Sequence, residues 1–262
     1  MARSSYYYHL KTKSVLSKHA AAEDQIKKIY HQHKGRYGYR RVTLEMRNQG
    51  CTINHKTVLK LMGTLGLKSL IRVKKYRSYK GEAGKIAPNL MKRDFSSAQP
   101  CHKWATDITE FRVKDKKLYL SPIIELFNGE IISYSLSESP NFKQVSDMLG
   151  DAFKKIGRQN ELILHSDQGW QYQMKEYQLM LKKKGIKQSM SRKGNCLDNA
   201  VIENFFGTIK SELFYLRKYS SIGELKQEII EYIKYYNNDR IKLNLKGMSP
   251  IKYRAHHGLI NF

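Results

Sequence analysis

Acid is scarce in this 262-residue sequence: 23 Asp and Glu stand against 48 Lys and Arg, a formal net charge of +25. A chain so far from neutrality neutralises a polyanion, and nucleic acid is the first candidate. Cysteine is scarcer still. Cys51, Cys101 and Cys196 are odd in number, far apart and without a CxxC pair, which supports neither a disulfide framework nor a cysteine zinc site. His31 and His33, or His256 and His257, lack further ligands at zinc spacing and are set aside as a metal site. No apolar run approaches the roughly 18 residues that cross a bilayer, and the N-terminus lacks the apolar core of a secretory signal. These absences predict a cytoplasmic protein with no membrane partner.

The charge that is present is unevenly placed. Residues 1–100 hold 22 Lys and Arg against 5 Asp and Glu, whereas residues 101–262 hold 26 against 18. A basic part therefore precedes a more balanced one. Residues 1–21, with Tyr6, Tyr7, Tyr8, Lys11, Lys13 and Lys18, read as a basic arm. Over residues 22–70 three helices are predicted: one from Ala22 to Lys34 carrying Ile26 and Ile29, one from Tyr39 to Asn48 with Val42, Leu44 and Met46, and a third capped by Asn54 with Val58, Leu59 and Met62. This is a helix-turn-helix pattern, in which the third helix enters the major groove and aims His55, Lys56, Thr57 and Lys60 at DNA. The same pattern also fits a small helical domain with a solvated basic face. Residues 71–100, with Arg72, Lys74, Lys75, Arg77, Lys80 and Lys85, read as a basic linker that follows phosphates rather than bases.

After Pro100 the texture changes. WATDITEFRV, KKLYLSPIIEL and EIISYSL are β-rich runs separated by charged or Asn-Gly turns, an antiparallel meander. A helix over Phe142 to Ile156, a short buried strand in ELILHS, a helix from Lys175 to Lys184, a strand in IKQSM and a helix from Asp198 to Leu213 follow. The order βββαβαβα predicts an α/β fold, a ribonuclease H-like mixed sheet flanked by helices, over residues 101–215. Residues 216–262, with an amphipathic helix from Ile222 to Asn237, read as a C-terminal helical extension.

Three acids stand out from this framework. Asp107 lies within the first strand, on the parity of Ala105, Thr109 and Phe111, while Trp104 and Ile108 take the other. Asp167 follows ELILH directly, at the carboxyl end of its strand, where ligands gather in open α/β sheets. Glu203 shares its helix with Val201, Ile202, Phe205, Phe206 and Ile209, which draws the helix against the sheet. Carboxylates gathered from three segments repel one another unless a cation lies among them, and Mg²⁺ or Mn²⁺ prefers such oxygen ligands. Two ions about 3.5–4 Å apart support in-line attack on a phosphodiester without a covalent protein nucleophile. Any one acid alone also reads as a cap, a turn residue or a surface charge.

Thirty-five residues separate Asp167 from Glu203, and here the sequence resembles the DD(35)E integrase core, specifically the second-frame product of IS3-family insertion-sequence transposases. The likeness rests on WATDITEF, HSDQGWQY, SRKGNCLDNAVIENFFGTIKSEL and YYNNDRIKLNLKGMSPIKYR, and runs from the Tyr-rich start and GRYGYRRV onward. It implies that Asp107, Asp167 and Glu203 are at once the metal ligands and the catalytic residues, with two Mg²⁺ or Mn²⁺ ions per active site. It implies cleavage at transposon ends, transfer of the freed 3′ hydroxyl to another phosphodiester, and joining of the two ends into a circular intermediate before insertion. Lys210 matches a basic position of the family and shares a helical face with Asn199 and Glu203, so it is expected to meet a phosphate. Arg192 and Lys193, in SRKGN, are further expected DNA contacts, while His165 and Trp170 are read as structural. The partners implied are DNA, both element ends and target, further copies of the chain, and an upstream-frame product, with a bacterial, nucleoid-associated location. The family's upstream helix-turn-helix and leucine-zipper region would precede this sequence, and DRIKLNLKG departs from the RPH run of many relatives. Two rivals remain: a DNA-binding regulator whose carboxylates are structural, and a ribonuclease H-like nuclease that only hydrolyses.

Overall fold

The computed structural model describes residue 3 and residues 19–70, 87–92, 94–156, 161–192 and 199–257. Most of the arm over residues 1–21, most of the 71–100 tract and Lys193 lie outside them. The chain divides into two compact units, residues 1–70 and 71–262.

In the first unit, α1 (Ala20–Gln32), α2 (Tyr39–Asn48) and α3 (His55–Thr64) bury Ile26 and Ile29, Val42 and Met46, and Val58, Leu61 and Met62. These are the one-sided apolar stripes that drive three short helices together. Asn54 caps α3 by accepting a hydrogen bond from the Lys56 N–H at 2.8 Å. Gly35 turns the chain at φ +70°, and a Cβ there would stand 2.7 Å from Leu70 Cδ1. Only glycine meets both demands. Leu70 N–H donates to the Gly35 carbonyl, and the Tyr30 hydroxyl donates to that of Lys68, which closes the unit.

The second unit is a six-stranded mixed sheet. β1 (Lys103–Thr106), β2 (Thr109–Val113) and β4 (Ile131–Ser137) run antiparallel to β3 (Lys116–Glu125), while β5 (Ile163–Ser166) lies parallel to β1, and β6 (Lys187–Met190) parallel to β5. WATDITEFRV, expected to be one strand, is interrupted at Asp107 and Ile108. The register on β3 nonetheless passes through the gap unchanged: Trp104 faces Glu125 and Thr109 faces Leu120. Asp107 falls opposite Pro122, which has no N–H to give.

Strand parity sends side chains into two cores. On one face Ala105, Phe111, Leu118, Leu120 and Ile124 pack with α7 (Ala200–Glu212) and α8 (Ile222–Asn238). On the other, Trp104, Ile123, Ile132 and Leu164 meet α4 (Phe142–Lys154), α5 (Trp170–Gln173) and α6 (Lys175–Lys184). This packing bears on two of the expected boundaries. Residues 216–262, read as a C-terminal helical extension, contribute Leu225, Ile229, Tyr232 and Ile233 of α8 to the first core. The end of the supposed linker also belongs to the sheet: Met91 is buried, and Leu90 N–H donates to Ser189 Oγ on β6. The short α5 and α9 (Pro250–His256) were not foreseen, being too brief to show a helical period.

Two buried ion pairs tie the late helices down, one to α7 and one to the sheet. Arg240 donates to both carboxylate oxygens of Glu212, at 2.8 and 2.6 Å, and the Tyr232 hydroxyl adds a third bond at 2.9 Å. Arg254 on α9 pairs with Glu130 at 2.9 Å and stands 4.0 Å from Glu125. Glu125 accepts from Trp104 Nε1 and from the Cys101 and Phe127 N–H groups. Arg240→Met is expected to lower stability by about 3–5 kcal/mol in urea unfolding, because it leaves a buried carboxylate without its cation, and Glu212→Leu added to it should restore most of the loss. Equal stability of Arg240→Met and the wild type would show the pair to be dispensable.

Candidate active site

The parallel pairing of β1 and β5 runs Lys103 with Ile163, Trp104 with Leu164 and Ala105 with His165. Continued by two residues, the same register brings Asp107 level with Asp167. Each carboxylate is held in plane by a main-chain donor: Asp107 Oδ1 accepts from the Ile108 N–H at 2.7 Å, and Asp167 Oδ1 from the Gly169 N–H at 2.8 Å. Glycine in the turn after β5 leaves room for the carboxylate, since a Cβ on residue 169 would lie 2.9 Å from Asp167 Oδ1. Glutamine side chains brace the segment. Gln168 donates to the Ser191 carbonyl, Gln171 to that of Pro140, Gln173 to that of Gln168, and Gln188 to that of Tyr172.

Glu203 arrives from the other side. The parity that carries Ala105 and Phe111 into the core with α7 also turns Asp107 toward that helix, and Ile202, Phe205 and Ile209 seat the helix on the sheet. Burial pushes the Asp107 carboxyl well above the ordinary range, Asp167 and Glu203 push it further, and Lys210 opposes them. Asp167 is raised by burial as well, against the Gly169 hydrogen bond. The Tyr172 phenol beneath them is raised by burial and then by both aspartates. Asp107, Asp167, Glu203 and Lys210 thus share one field around the carboxyl end of β5. Among the described residues no three His, Cys, Asp or Glu side chains are close enough together to hold an ion. The three carboxylates supply the oxygen donors that a hard divalent cation takes, and its arrival would relieve their repulsion.

The expected DNA contacts are scattered. Lys210 lies beside the acids, its ammonium 5.4 Å from the centre of the Phe111 ring. Asn199 is buried at the start of α7, so it is not presented at the surface, and Arg192 is exposed. His55, Lys56 and Lys60 line the exposed side of α3, with Leu59 among them at 51% exposure. His165 is buried, its Nδ1 2.8 Å from Ser189 Oγ, in keeping with a structural role. Trp170, also read as structural, is instead 55% exposed. Gly169 and Tyr172 escaped notice although both stand in HSDQGWQY; the signal was a glycine two residues after a candidate ligand.

Residues 97–196 and 203–257 each match an integrase core domain family, and residues 18–75 match an HTH-like domain family. The chain is 60% identical over 252 residues to the putative transposase InsK for insertion sequence element IS150 of Escherichia coli, covering 96% of this chain and 89% of that protein. It is 54% identical over 203 residues to an uncharacterized transposase-like protein of Haemophilus influenzae, covering 78% and 94%. It is 34% identical over 223 residues to the transposase InsF for insertion sequence IS3A of Escherichia coli, covering 84% and 77%. Among solved structures, the HTLV-2 integrase catalytic core domain in complex with magnesium aligns at a TM-score of 0.49 and 20% identity, over 60% of this chain and 97% of that one.

The crowding of acids has a measurable consequence. In EDTA, Asp107→Asn should melt higher than the wild type, since the amide oxygen still accepts from Ile108 while one repelling charge is gone. Millimolar Mn²⁺ should raise the melting temperature of the wild type by several degrees and that of Asp107→Asn by far less, by mass action on the folded state. Scanning calorimetry of both proteins, with and without Mn²⁺, checks this; an equal Mn²⁺ shift in both would remove Asp107 from the cation site.

Proposed function

The chain belongs to the IS3 family of insertion-sequence transposases, and from that premise we propose that Asp107, Asp167 and Glu203 are the centre at which it cuts and joins DNA strands. The reading is supported by the parallel register of β1 on β5, which when continued by two residues sets Asp107 level with Asp167, and by the Glu203 charge on α7, which acts on Asp107. Two Mg²⁺ or Mn²⁺ ions bound by these carboxylates would activate a water or a 3′ hydroxyl and stabilise the leaving oxygen.

The protein's own groups then do the placing. Main-chain N–H groups of Ile108 and Gly169 fix the two aspartates before substrate arrives, so little reorganisation is needed. Lys210, on the helix of Glu203, offers its ammonium to the phosphate at the acids. Arg192 and Lys193 meet the flanking backbone, and His55, Lys56 and Lys60 place α3 on the DNA. The excess of Lys and Arg supplies binding that is independent of sequence and weakens with salt. Cleavage frees a 3′ hydroxyl, and joining uses it as the nucleophile in the same site. Pairing two element ends calls for at least two copies of the chain on DNA, and an upstream-frame product is a further partner in the cytoplasm, on the nucleoid.

The test is nicking and joining of labelled DNA carrying the element's ends, with Mg²⁺, Mn²⁺ or EDTA. Asp107→Asn, Asp167→Asn and Glu203→Gln should each lose at least about 10³-fold in cleavage while binding DNA within a few-fold of wild type. Hydrolysis without joining would replace this reading by a nuclease, and binding without cutting by a regulator. Gly169→Ala makes a subtler case. It should leave the circular-dichroism spectrum unchanged and lower cleavage by about 10²-fold, because the methyl displaces the Asp167 carboxylate. Undiminished cleavage by this variant would show that the turn tolerates the displacement.

A further inference from the structure

The sequence has two tryptophans, and the fold treats them oppositely. Trp104 is fully buried, with its indole N–H on Glu125. Trp170 is 55% exposed at the first position of α5, immediately after the glycine whose N–H holds Asp167. The helix cannot roll to hide it, because Gln171 and Tyr172 occupy the buried side and the Gln171 side chain is bonded to the Pro140 carbonyl. A large apolar ring is thus held in solvent beside the acids, in a protein of net charge +25.

We propose that Trp170 is a DNA-contacting residue whose indole stacks on an unpaired nucleobase next to the phosphate at Asp107, Asp167 and Glu203. The proposal rests on the cut-and-join reading of that site. Three Cα steps separate Trp170 from Asp167, so the two Cα atoms lie within about 11 Å. Successive bases of a strand are about 3.4 Å apart, which puts the stacked base within roughly three steps of the phosphate at the acids. Bases inside a duplex are already stacked on each other, so the ring takes one freed at a strand end or swung out of the helix. Aromatic stacking accepts any base, which suits a contact that positions a strand rather than reads it. Of the partners an exposed indole could take, a nucleobase is favoured by the excess positive charge of the chain and by the adjoining carboxylate site.

The test uses the full chain in EDTA, where no strand is cut, with end-labelled duplexes that carry either fully paired or two unpaired terminal bases. Because Trp104 is buried, a change in iodide-quenchable emission reports Trp170. The unpaired end should quench that emission and shield it from iodide, while label anisotropy shows both duplexes bound. With Mn²⁺, Trp170→Ala should nick at least about ten-fold more slowly than wild type at an unchanged melting temperature, and Trp170→Phe should recover to within about three-fold. Binding without quenching, or full nicking by Trp170→Ala, overturns the proposal. So does a change of oligomeric state of Trp170→Ala without DNA, since that would make the indole a protein contact. If the wild type itself never nicks, the cut-and-join reading fails, and the quenching result alone decides whether the indole stacks.

Discussion

The mutual repulsion of carboxylates at the ends of two neighbouring parallel strands is the constraint around which the second unit is organised. Left to themselves, Asp107 and Asp167 would swing apart into solvent. Main-chain donors from Ile108 and Gly169 hold them in place, and partial burial between the strands and α7 weakens the screening of their charges. The free energy that this costs is offset elsewhere, by two apolar layers against the sheet and by buried ion pairs at a distance from the acids. Strain concentrated at a site and compensated by the frame around it is the usual arrangement for groups held ready for a ligand.

The frame also explains why the first strand is broken where it is. An unbroken ladder from Lys103 to Val113 would hold both edges of the segment in regular hydrogen bonds. At Asp107 the ladder stops on the β5 side, where that strand ends, and meets a proline on the β3 side. The gap lets Ile108 turn its N–H to the Asp107 carboxylate instead of to a neighbouring strand, without loss of register in β2.

Much of this was legible in the residues. The helices from Tyr39 to Asn48 and from Lys175 to Lys184 are found at the expected bounds, because apolar spacing and Gly185 mark them. The parity of Asp107 with Ala105 and Phe111 followed from strand alternation alone. What could not be read is whatever depends on distant partners. Nothing near Glu125 in the chain announces Arg254, nor does Glu212 announce Arg240, so α8 and α9 looked like an extension. The exposure of Trp170 was hidden for a related reason: an aromatic beside an apolar strand reads as core until Gln171 and Tyr172 are seen to occupy the inward positions.

The late ion pairs bear on how the protein comes into being. Glu125 meets Arg254 about 130 residues downstream, and the Glu212 carboxylate closes on Arg240. A nascent chain has therefore translated all three acids before the arginines that neutralise the frame beneath them have left the ribosome. A polypeptide broken off after α7 would keep Asp107, Asp167 and Glu203 but carry buried carboxylates without counter-ions and an apolar sheet face without α8. Completion of the frame around the three acids is in this way tied to translation of the last helices.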